Sequence, residues 1–379
     1  MERAKDQPGP LQAIQVPDGQ MAKPDYQGAC VSNIVPALLE HRMLGEGWIP
    51  DRVLDAEQVV LLVIDGLGWN QLVARQALAP VLAASQGQAI TTVAPTTTAA
   101  ALTSITTGAP PGDHGLVGYR IRTGGETLNA LRWATENGDA RERIIPSELQ
   151  VLAPFGNRNP VVITKGEFAR SGFTMAHLAG TQFRGYSTIS TFVHEISTAA
   201  AAGERFVYAY YDGLDRVGHE RGHDAAFDAE YAFVDRLVGE IRNELAPDVA
   251  LVVTADHGQV HTGDNLVPID PSVMRHTRAI SGEVRFAWLH ATSGADGLLL
   301  DAARAAHDEH AWVLSVDEVV AQGLLGARIQ TAARGRLGDV ALIAKSTLAL
   351  VDPAAPASIL VGRHGSLTAD ELYVPLLCP

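Results

Sequence analysis

The chain has 379 residues, of which 46% are hydrophobic and 19% charged, and its formal net charge is -14. This composition is that of a globular protein rather than a disordered one, and the acidic charge argues against nucleic acid or an anionic membrane surface as a partner. An anionic substrate stays possible, because bound metal cations would reverse the local sign of the charge.

Residues 1–50 predict an N-terminal arm, which is rich in Pro, Gly and Gln up to about residue 30 and continues into a short helix. The first charged residues are not followed by the apolar segment of a secretory signal, and no apolar segment is long enough to span a membrane. Cys30 and Cys378 form neither a metal-binding motif nor a disulfide framework. We therefore expect a cytoplasmic protein, and no pattern in the sequence indicates its oligomeric state.

Four runs of aliphatic and β-branched residues predict buried strands of a parallel sheet, because both of their faces are apolar. They are VVLLVIDG at 59–66, VVIT at 161–164, FVYAYYDG at 206–213 and VALVVTADHG at 249–258. Between the last two, apolar residues from Phe227 to Leu245 recur at spacings of three and four and predict a helix. The alternation indicates a doubly wound, mostly parallel α/β sheet flanked by helices, where ligands bind beyond the carboxyl ends of the strands.

A change of pattern at about residue 271 predicts a small α+β insertion, or cap, that spans 271–337. The catalytic α/β core is expected to span 51–270, before this insertion. Residues 338–379 are expected to return to the core with further strand sequence and to carry His364 in a glycine-flanked turn.

Four separated segments offer carboxylate and imidazole side chains that could bind metal ions. They are Asp65, Asp215 with His219, Asp256 with His257, and His364. Asp215 and His219 are one helical turn apart, so both could face the same ion. Taken singly, these residues could also be a turn cap, a solvated helix face and a loop histidine. Their occurrence together, at the ends of predicted strands and around a threonine-led helix, favours a site.

The stretch APTTTAAALTSITTGAPPGDHG, residues 94–115, places three threonines directly before an alanine-rich helix. Threonine is a tolerable N-cap residue, so the three threonines could simply start the helix. Alternatively, a hydroxyl held at the positive end of a helix can meet a phosphate. The stretch alone does not decide between the two interpretations.

The motifs DGLG, PTTTAAALTSITTGAPPGDHG, DRVGH, ADHG and RHG, in this order, resemble the nucleotide pyrophosphatase/phosphodiesterase branch of the alkaline phosphatase superfamily. The resemblance extends from about Val59 to His364. It implies an alkaline phosphatase-like fold and hydrolysis of a phosphodiester or pyrophosphate-type bond in a small phosphorylated substrate. Counting from Pro95 in the family's pattern, it also implies that Thr98 is the nucleophile and forms a covalent phospho-threonine.

The same resemblance implies two metal sites, most simply occupied by Zn²⁺, with Mn²⁺ or Fe as alternatives. One site would consist of Asp65, Asp256, His257 and the Thr98 hydroxyl. The other would consist of Asp215, His219 and His364.

At one position the sequence departs from the family's pattern. Tyr119 stands where many members have an asparagine that contacts a phosphoryl oxygen. Its hydroxyl could donate the same hydrogen bond, or its ring could simply pack against neighbouring residues. His114 matches a turn of the family and is expected to be structural, whereas His223 and His261 have no counterpart and are expected at the surface.

Three other functions are compatible with these residues. A phosphonate hydrolase that cleaves a C–P bond, for instance in phosphonoacetate, also uses a metal-bound threonine. A phosphate monoesterase is the next alternative. A metal-bearing protein that binds a phosphorylated ligand without catalysis is the third, although the complete set of seven ligands argues against a degenerate site.

Overall fold

The computed structural model describes residues 10–355 and 359–379, and a seven-stranded sheet forms its centre. In spatial order the strands are Gln86–Thr91, Tyr373–Cys378, Val249–Thr254, Gln58–Ile64, Phe206–Tyr211, Val161–Lys165 and Gln182–Tyr186. Tyr373–Cys378 runs antiparallel to both of its neighbours, and the pairs among the following five strands are parallel. The predicted mostly parallel α/β sheet is therefore confirmed.

The central strands are apolar because helices cover the sheet. All six residues of Phe206–Tyr211 and of Val249–Thr254 are buried. The helix predicted from the repeat between Phe227 and Leu245 is confirmed as Ala225–Glu244, where the Asp224 side chain accepts hydrogen bonds from the N–H groups of Ala226 and Phe227. Its residue Val234 belongs to the same apolar core as the strands.

The other helices are shorter and connect the strands. The α-helices are Ile34–Glu40, Asp51–Leu54, Trp69–Ala74, Pro80–Ala83, Thr98–Thr107, Pro111–His114, Pro146–Leu149, Gly172–His177, Ile189–Ala201, Gly213–Arg221, Pro271–Met274, Asp296–His307, Val316–Ala321, Thr331–Arg334 and Ala369–Leu372. Single 3₁₀ turns occur at Val31–Asn33, Pro154–Asn157 and Gly166–Phe168. Among the described residues, no helix combines the length and the apolar character that crossing a membrane requires.

A second, antiparallel sheet contains the strands Thr277–Glu283, Phe286–Ala291, Val340–Ala344 and Ala311–Ser315, in this spatial order. It has a small apolar core of its own, to which Leu299 of the helix Asp296–His307 contributes. The sequence analysis placed Val340–Ala344 in the segment that returns to the central core, but this strand lies inside the second sheet. All five of its residues are buried, and such a run fits an inner strand of either sheet equally well.

Short strand pairs connect the loops near the carboxyl ends of the central strands. Val260–His261 pairs with Gly362–Arg363 and so joins two loops that carry predicted ligands. Leu266–Pro268 pairs with Ala349–Val351. A four-stranded meander, which the sequence analysis did not predict, consists of Arg120–Thr123, Glu126–Asn129, Ala134–Thr135 and Gly138–Asp139.

The predicted N-terminal arm lies along the core where it is described, and residues 1–9 of it lie outside the described residues. The Trp69 indole N–H donates to the Gln12 carbonyl at 2.8 Å, and Asn70 exchanges hydrogen bonds with the backbone of Ile14. The short helix predicted at the end of this arm is present at Ile34–Glu40.

Candidate metal centre

The candidate centre lies at the carboxyl edge of the central sheet. Asp65 directly follows the strand Gln58–Ile64, and Asp256 and His257 follow the neighbouring strand Val249–Thr254. Parallel strands end at the same edge, which brings these side chains together.

Asp65, Asp256 and His257 form one half of the centre. His257 Nε2 lies 3.4 Å from Asp65 Oδ1 and 3.3 Å from Asp256 Oδ2. These two carboxylate oxygens are buried and, within the described residues, have no hydrogen-bond partner. Two unpaired carboxylate oxygens that face one imidazole nitrogen are an arrangement that a bound cation would satisfy.

The helix Gly213–Arg221 and the loop after Arg363 form the other half. His219 Nε2 lies 3.2 Å from Asp215 Oδ2, one turn earlier in the helix. His364 Nε2 lies 3.3 Å from His219 Nε2 and 3.9 Å from Asp215 Oδ1. The three side chains therefore converge, and the spacing of Asp215 and His219 had predicted this for those two.

The two halves are in contact. The rings of His257 and His364 stack with their centroids 3.6 Å apart. His257 therefore belongs to two groups of three possible ligands, one with Asp65 and Asp256 and one with Asp215 and His364. The structure thus places His257 between the two sites, to only one of which the sequence analysis had assigned it.

Each histidine is oriented by the same kind of hydrogen bond. The Nδ1–H groups of His219, His257 and His364 donate to the carbonyls of Gly362, Gly258 and Thr96, at 2.7, 3.1 and 2.8 Å. A donating Nδ1 leaves the Nε2 lone pair free toward the centre, which is the tautomer that a metal ligand needs.

Burial concentrates charge in the centre. Burial together with Asp256 and Asp215 raises the pKa of Asp65 well above its ordinary value. Burial and Asp215 likewise raise the pKa of Asp256 to about 7. Burial alone would lower the pKa of His219, but the Asp215 carboxylate raises it to about 9. The centre therefore holds two acidic side chains, Asp65 and Asp256, that lack enough positive charge, an environment that favours a bound cation.

Thr98 is the first residue of the helix Thr98–Thr107, and Thr97 is its N-cap residue. Its hydroxyl oxygen lies 3.1 Å from His257 Nε2. Thr96 attaches the start of this helix to the loop of His364, because its hydroxyl donates to the Ser366 carbonyl and accepts from the Gly365 N–H. Each of the three consecutive threonines thus has a separate position at the centre.

Two supporting residues escaped the sequence analysis. The Tyr210 hydroxyl donates to Asp65 Oδ2, and the Gln259 amide donates to Asp215 Oδ1. Gln259 directly follows the ADHG motif, a position that could have drawn attention. Tyr210 lies in an apolar strand, where the sequence alone does not distinguish it from an aromatic residue of the core.

The Tyr119 hydroxyl forms its hydrogen bond with a residue of the meander rather than with a candidate ligand. Its hydroxyl oxygen accepts a hydrogen bond from Asn129 Nδ2 at 2.6 Å, at the edge of the meander. Its contact with a phosphoryl oxygen stays a prediction.

Three other histidines can now be placed. His114 is buried, accepts from the Leu116 N–H at Nδ1 and lies 2.9 Å from Ser104 Oγ at Nε2, which agrees with a structural role. His261 is exposed as expected. His223 is partly buried, because its ring stacks on Phe227, which corrects its predicted surface position.

Solved structures share this fold. Murine ectonucleotide pyrophosphatase/phosphodiesterase 5 matches with 17% identity and a TM-score of 0.64, over 84% of this chain and 87% of the murine one. Its inactive threonine-to-alanine variant in complex with AMP matches with 16% identity and a TM-score of 0.64, over 85% and 87%. Phosphonoacetate hydrolase from Sinorhizobium meliloti 1021, in complex with phosphonoacetate, matches with 17% identity and a TM-score of 0.59, over 85% and 90%. At this identity the matches establish the fold.

No curated protein sequence matches the chain significantly. The sequence profile of the type I phosphodiesterase/nucleotide pyrophosphatase family, in contrast, matches residues 59–367. This range contains both halves of the centre and most of the chain. The chain therefore belongs to the type I phosphodiesterase/nucleotide pyrophosphatase family and is a hydrolase of phosphoesters.

Proposed function

We propose that this hydrolase cleaves phosphodiester or pyrophosphate-type bonds of small phosphorylated molecules, with Thr98 as nucleophile and two divalent cations as cofactors. The observation that carries the proposal is the position of the Thr98 hydroxyl, 3.1 Å from His257 Nε2 and at the N-terminus of a helix. A hydroxyl in this position faces both the candidate ligands and the positive end of the helix.

The residues fit two cations. Asp65, Asp256, His257 and the Thr98 hydroxyl would hold one ion, and Asp215, His219 and His364 would hold the other. Mixed carboxylate and imidazole donors suit Zn²⁺, with Mn²⁺ or Fe as alternatives. When bound, the ions supply positive charge that lowers the pKa of the attacking hydroxyl and stabilises the leaving oxygen.

The chain itself supplies the nucleophile and the positive end of a helix. Thr98 Oγ forms a bond to phosphorus while the bond to the leaving oxygen breaks, and the hydroxyl proton leaves with the departing alcohol, which gives a phospho-threonine. Water then attacks the same phosphorus and releases Thr98 with its proton restored. The first N–H groups of the helix Thr98–Thr107 have no partner within the helix, so they can donate to the phosphoryl oxygens as negative charge develops.

The similar folds support this choice of chemistry and suggest probes. One of them binds AMP in a variant whose threonine has been replaced and which is described as inactive. Another binds phosphonoacetate. Both ligands are small and contain phosphorus, as the proposed substrate does.

The test is turnover of methyl p-nitrophenyl phosphate, p-nitrophenyl phosphate and phosphonoacetate by the zinc-loaded protein. We expect a preference for the diester, and we expect Thr98→Ala to lower kcat by about 10⁴-fold or more. Thr107→Ala is the matched control, because among the described residues the Thr107 hydroxyl hydrogen-bonds only to the Thr103 carbonyl of the same helix, at 2.6 Å.

Each other outcome rejects a specific part of the proposal. Turnover that survives Thr98→Ala would exclude Thr98 as the nucleophile. A preference for phosphonoacetate would identify a C–P hydrolase, and a preference for the monoester would identify a phosphatase. Two bound zinc ions without turnover of any probe would favour a binding protein.

A further inference from the structure

Gln259 is a fully buried residue that the proposed mechanism does not use. It lies two residues after His257, and its side-chain amide hydrogen-bonds to Asp215 on another segment of the chain. The first half of the candidate centre consists of Asp65, Asp256 and His257, and the second half consists of Asp215, His219 and His364. Gln259 therefore belongs to the loop that carries ligands of the first half and contacts a ligand of the second half.

The NH₂ group of Gln259 donates twice to Asp215. One hydrogen bond goes to the carboxylate oxygen Oδ1, and the other goes to the backbone carbonyl of the same residue at 3.2 Å. An amide NH₂ group has two hydrogens, so these two bonds use both of its donors. They hold the main chain and the side chain of Asp215 against the loop that follows His257.

This contact leaves the other carboxylate oxygen of Asp215 toward the second half. Asp215 Oδ2 lies 3.2 Å from His219 Nε2. The first half has the same arrangement, because Asp65 Oδ2 accepts from Tyr210 while Asp65 Oδ1 lies 3.4 Å from His257 Nε2. A carboxylate that is held at one oxygen presents the other oxygen in a defined direction, which is how neighbouring groups orient metal ligands.

Three glycines from three segments surround the Gln259 amide. A Cβ placed on Gly66 would lie 2.8 Å from Gln259 Nε2, and a Cβ placed on Gly362 would lie 3.0 Å from Gln259 Oε1. A Cβ on Gly218 would collide with the same Oε1 atom. The amide therefore occupies a space that exists only because these three positions have no side chain.

The backbone of Gln259 is held as well. The Gln71 side chain donates to the Gln259 carbonyl at 2.5 Å and to the Asp370 carbonyl at 3.2 Å. Gln71 belongs to the helix Trp69–Ala74. Both ends of the contact with Asp215 are thus attached to the frame of the central sheet, as a group that orients a ligand requires.

The amide is a donor that carries no net charge. A lysine or arginine at this position would place a positive charge beside Asp215 and repel a metal cation. A glutamine supplies the hydrogen bond and leaves the carboxylate its full negative charge. The residue type of Gln259 therefore suits a ligand that has to be oriented without being neutralised.

We propose that Gln259 is a positioning residue for the second half, where its amide orients Asp215 to bind a divalent cation. The inference rests on the proposed function, because that function assigns one cation to each half. It predicts a selective effect. The Gln259 side chain also lies beside Gly66, which follows Asp65, but among the described residues its hydrogen bonds go only to Asp215.

The test is the zinc affinity of Gln259→Met in two backgrounds, measured by competition with a chromophoric chelator. Asp65→Ala removes a candidate ligand of the first half, so this background reports the second half. His219→Ala does the converse. We expect Gln259→Met to weaken zinc binding by about 10- to 100-fold in the Asp65→Ala background, because the orienting hydrogen bond is lost. In the His219→Ala background the affinity should not change.

Gln150→Met is the matched control. Gln150 is also buried, but its amide donates to the carbonyls of Leu152 and Ala176, both at 2.8 Å, rather than to a candidate ligand. In both backgrounds it should leave the zinc affinity unchanged. An equal loss of affinity in the two backgrounds on Gln259→Met, or no loss in either, would overturn the inference.

Gly218→Ala tests the same contact without removing the glutamine. The added methyl group pushes the Gln259 amide aside, whereas alanine is a better helix former than glycine within the helix Gly213–Arg221. This variant keeps the inference testable if Gln259→Met does not fold. We expect the same selective loss of zinc from the second half. An unchanged affinity of Gly218→Ala in the Asp65→Ala background would contradict the role of Gln259.

Zinc affinity is measured without a substrate, which separates this inference from the proposed function. If both halves bind zinc but the wild-type protein hydrolyses no phosphodiester, the proposed function fails, and a selective loss in Gln259→Met still supports the role of Gln259. Conversely, turnover that depends on Thr98, together with zinc affinities that Gln259→Met leaves unchanged, would support the function and reject this role.

Discussion

Tyr208 and Tyr210 project from the same face of one central strand toward the buried aspartates, but only one of them makes a hydrogen bond there. The Tyr210 hydroxyl donates to Asp65, whereas the buried Tyr208 hydroxyl has no partner among the described residues. A hydrogen bond to a metal-binding carboxylate orients it, and its loss commonly weakens metal affinity by about 10- to 100-fold. We expect Tyr210→Phe to weaken zinc binding by this factor and Tyr208→Phe to leave it unchanged.

Competition with a chromophoric chelator measures both affinities. Equal zinc affinities for the two variants would show that the hydrogen bond to Asp65 does not support the metal site.

At the residue scale, the sequence predicted side chains whose chemistry is unusual for their position. An aspartate and a histidine at the end of a buried strand are unfavourable there unless they bind a ligand. The residue types of Asp256 and His257 alone therefore indicated a site. Tyr210 could not be found in this way, because a tyrosine in an apolar strand is normally a core residue.

The helix Thr98–Thr107 begins at the proposed nucleophile, and Gly108 ends it in the left-handed region, with φ of 65°. A Cβ on Gly108 would lie 2.4 Å from Pro36 Cγ, whereas a Cβ on Gly124, with φ of 59°, would meet nothing within 4 Å. Gly124→Ala should therefore cost about 1 kcal/mol, for the backbone conformation alone. Gly108→Ala should cost about 2 kcal/mol more, because the methyl group also overpacks against Pro36.

Urea denaturation of the two variants measures this difference in the free energy of unfolding. Similar losses of stability in both variants would show that Pro36 moves aside without a cost in free energy.

The side chain of His114, in its neutral form, connects this helix to the following turn. Burial lowers its pKa from the ordinary 6.5 to about 3. Between these two pKa values the unfolded chain binds more protons than the folded one. The contribution of His114 to the free energy of unfolding is therefore complete above pH 6.5 and is lost as the pH falls toward 3. From about pH 7 to pH 5 the wild-type protein should lose about 2 kcal/mol more than His114→Asn.

Chemical denaturation at the two pH values checks this expectation. A pH dependence that is the same in both proteins would show that His114 does not contribute to acid sensitivity.

At the scale of elements, the sequence predicted those with a clear period or a continuous apolar run. The strand Gln58–Ile64 and the helix Ala225–Glu244 are examples. The meander that begins at Arg120 was missed, because strands of two to four residues carry no readable alternation. Val340–Ala344 was recognised as strand sequence, but an apolar run does not state which sheet it joins.

In the whole molecule, a buried ion pair joins the second sheet to the core. The Arg285 Nε and Nη2 atoms lie 2.8 and 2.6 Å from the two carboxylate oxygens of Glu371, and both side chains are fully buried. Glu371 Oε1 also accepts from the Ser366 N–H in the loop after His364. Arg285→Met should destabilise the protein by about 3–5 kcal/mol, because it leaves a buried carboxylate unpaired.

Adding Glu371→Gln to Arg285→Met should restore part of this loss, since the unpaired charge is then removed. Denaturation of the single and double variants tests the coupling. A double variant that is less stable than Arg285→Met alone would contradict it.

The strand Tyr373–Cys378 lies between Gln86–Thr91 and Val249–Thr254, although it follows every other strand of the central sheet in the sequence. Chains fold progressively while the ribosome synthesises them. Until this strand emerges, its two neighbours have no partner on the edges that it later pairs, and such edges invite aggregation. His364 also emerges late, after all the other candidate ligands. A nascent chain can therefore assemble most of the sheet and still lack one candidate ligand, so the candidate centre is complete only when synthesis has passed these residues.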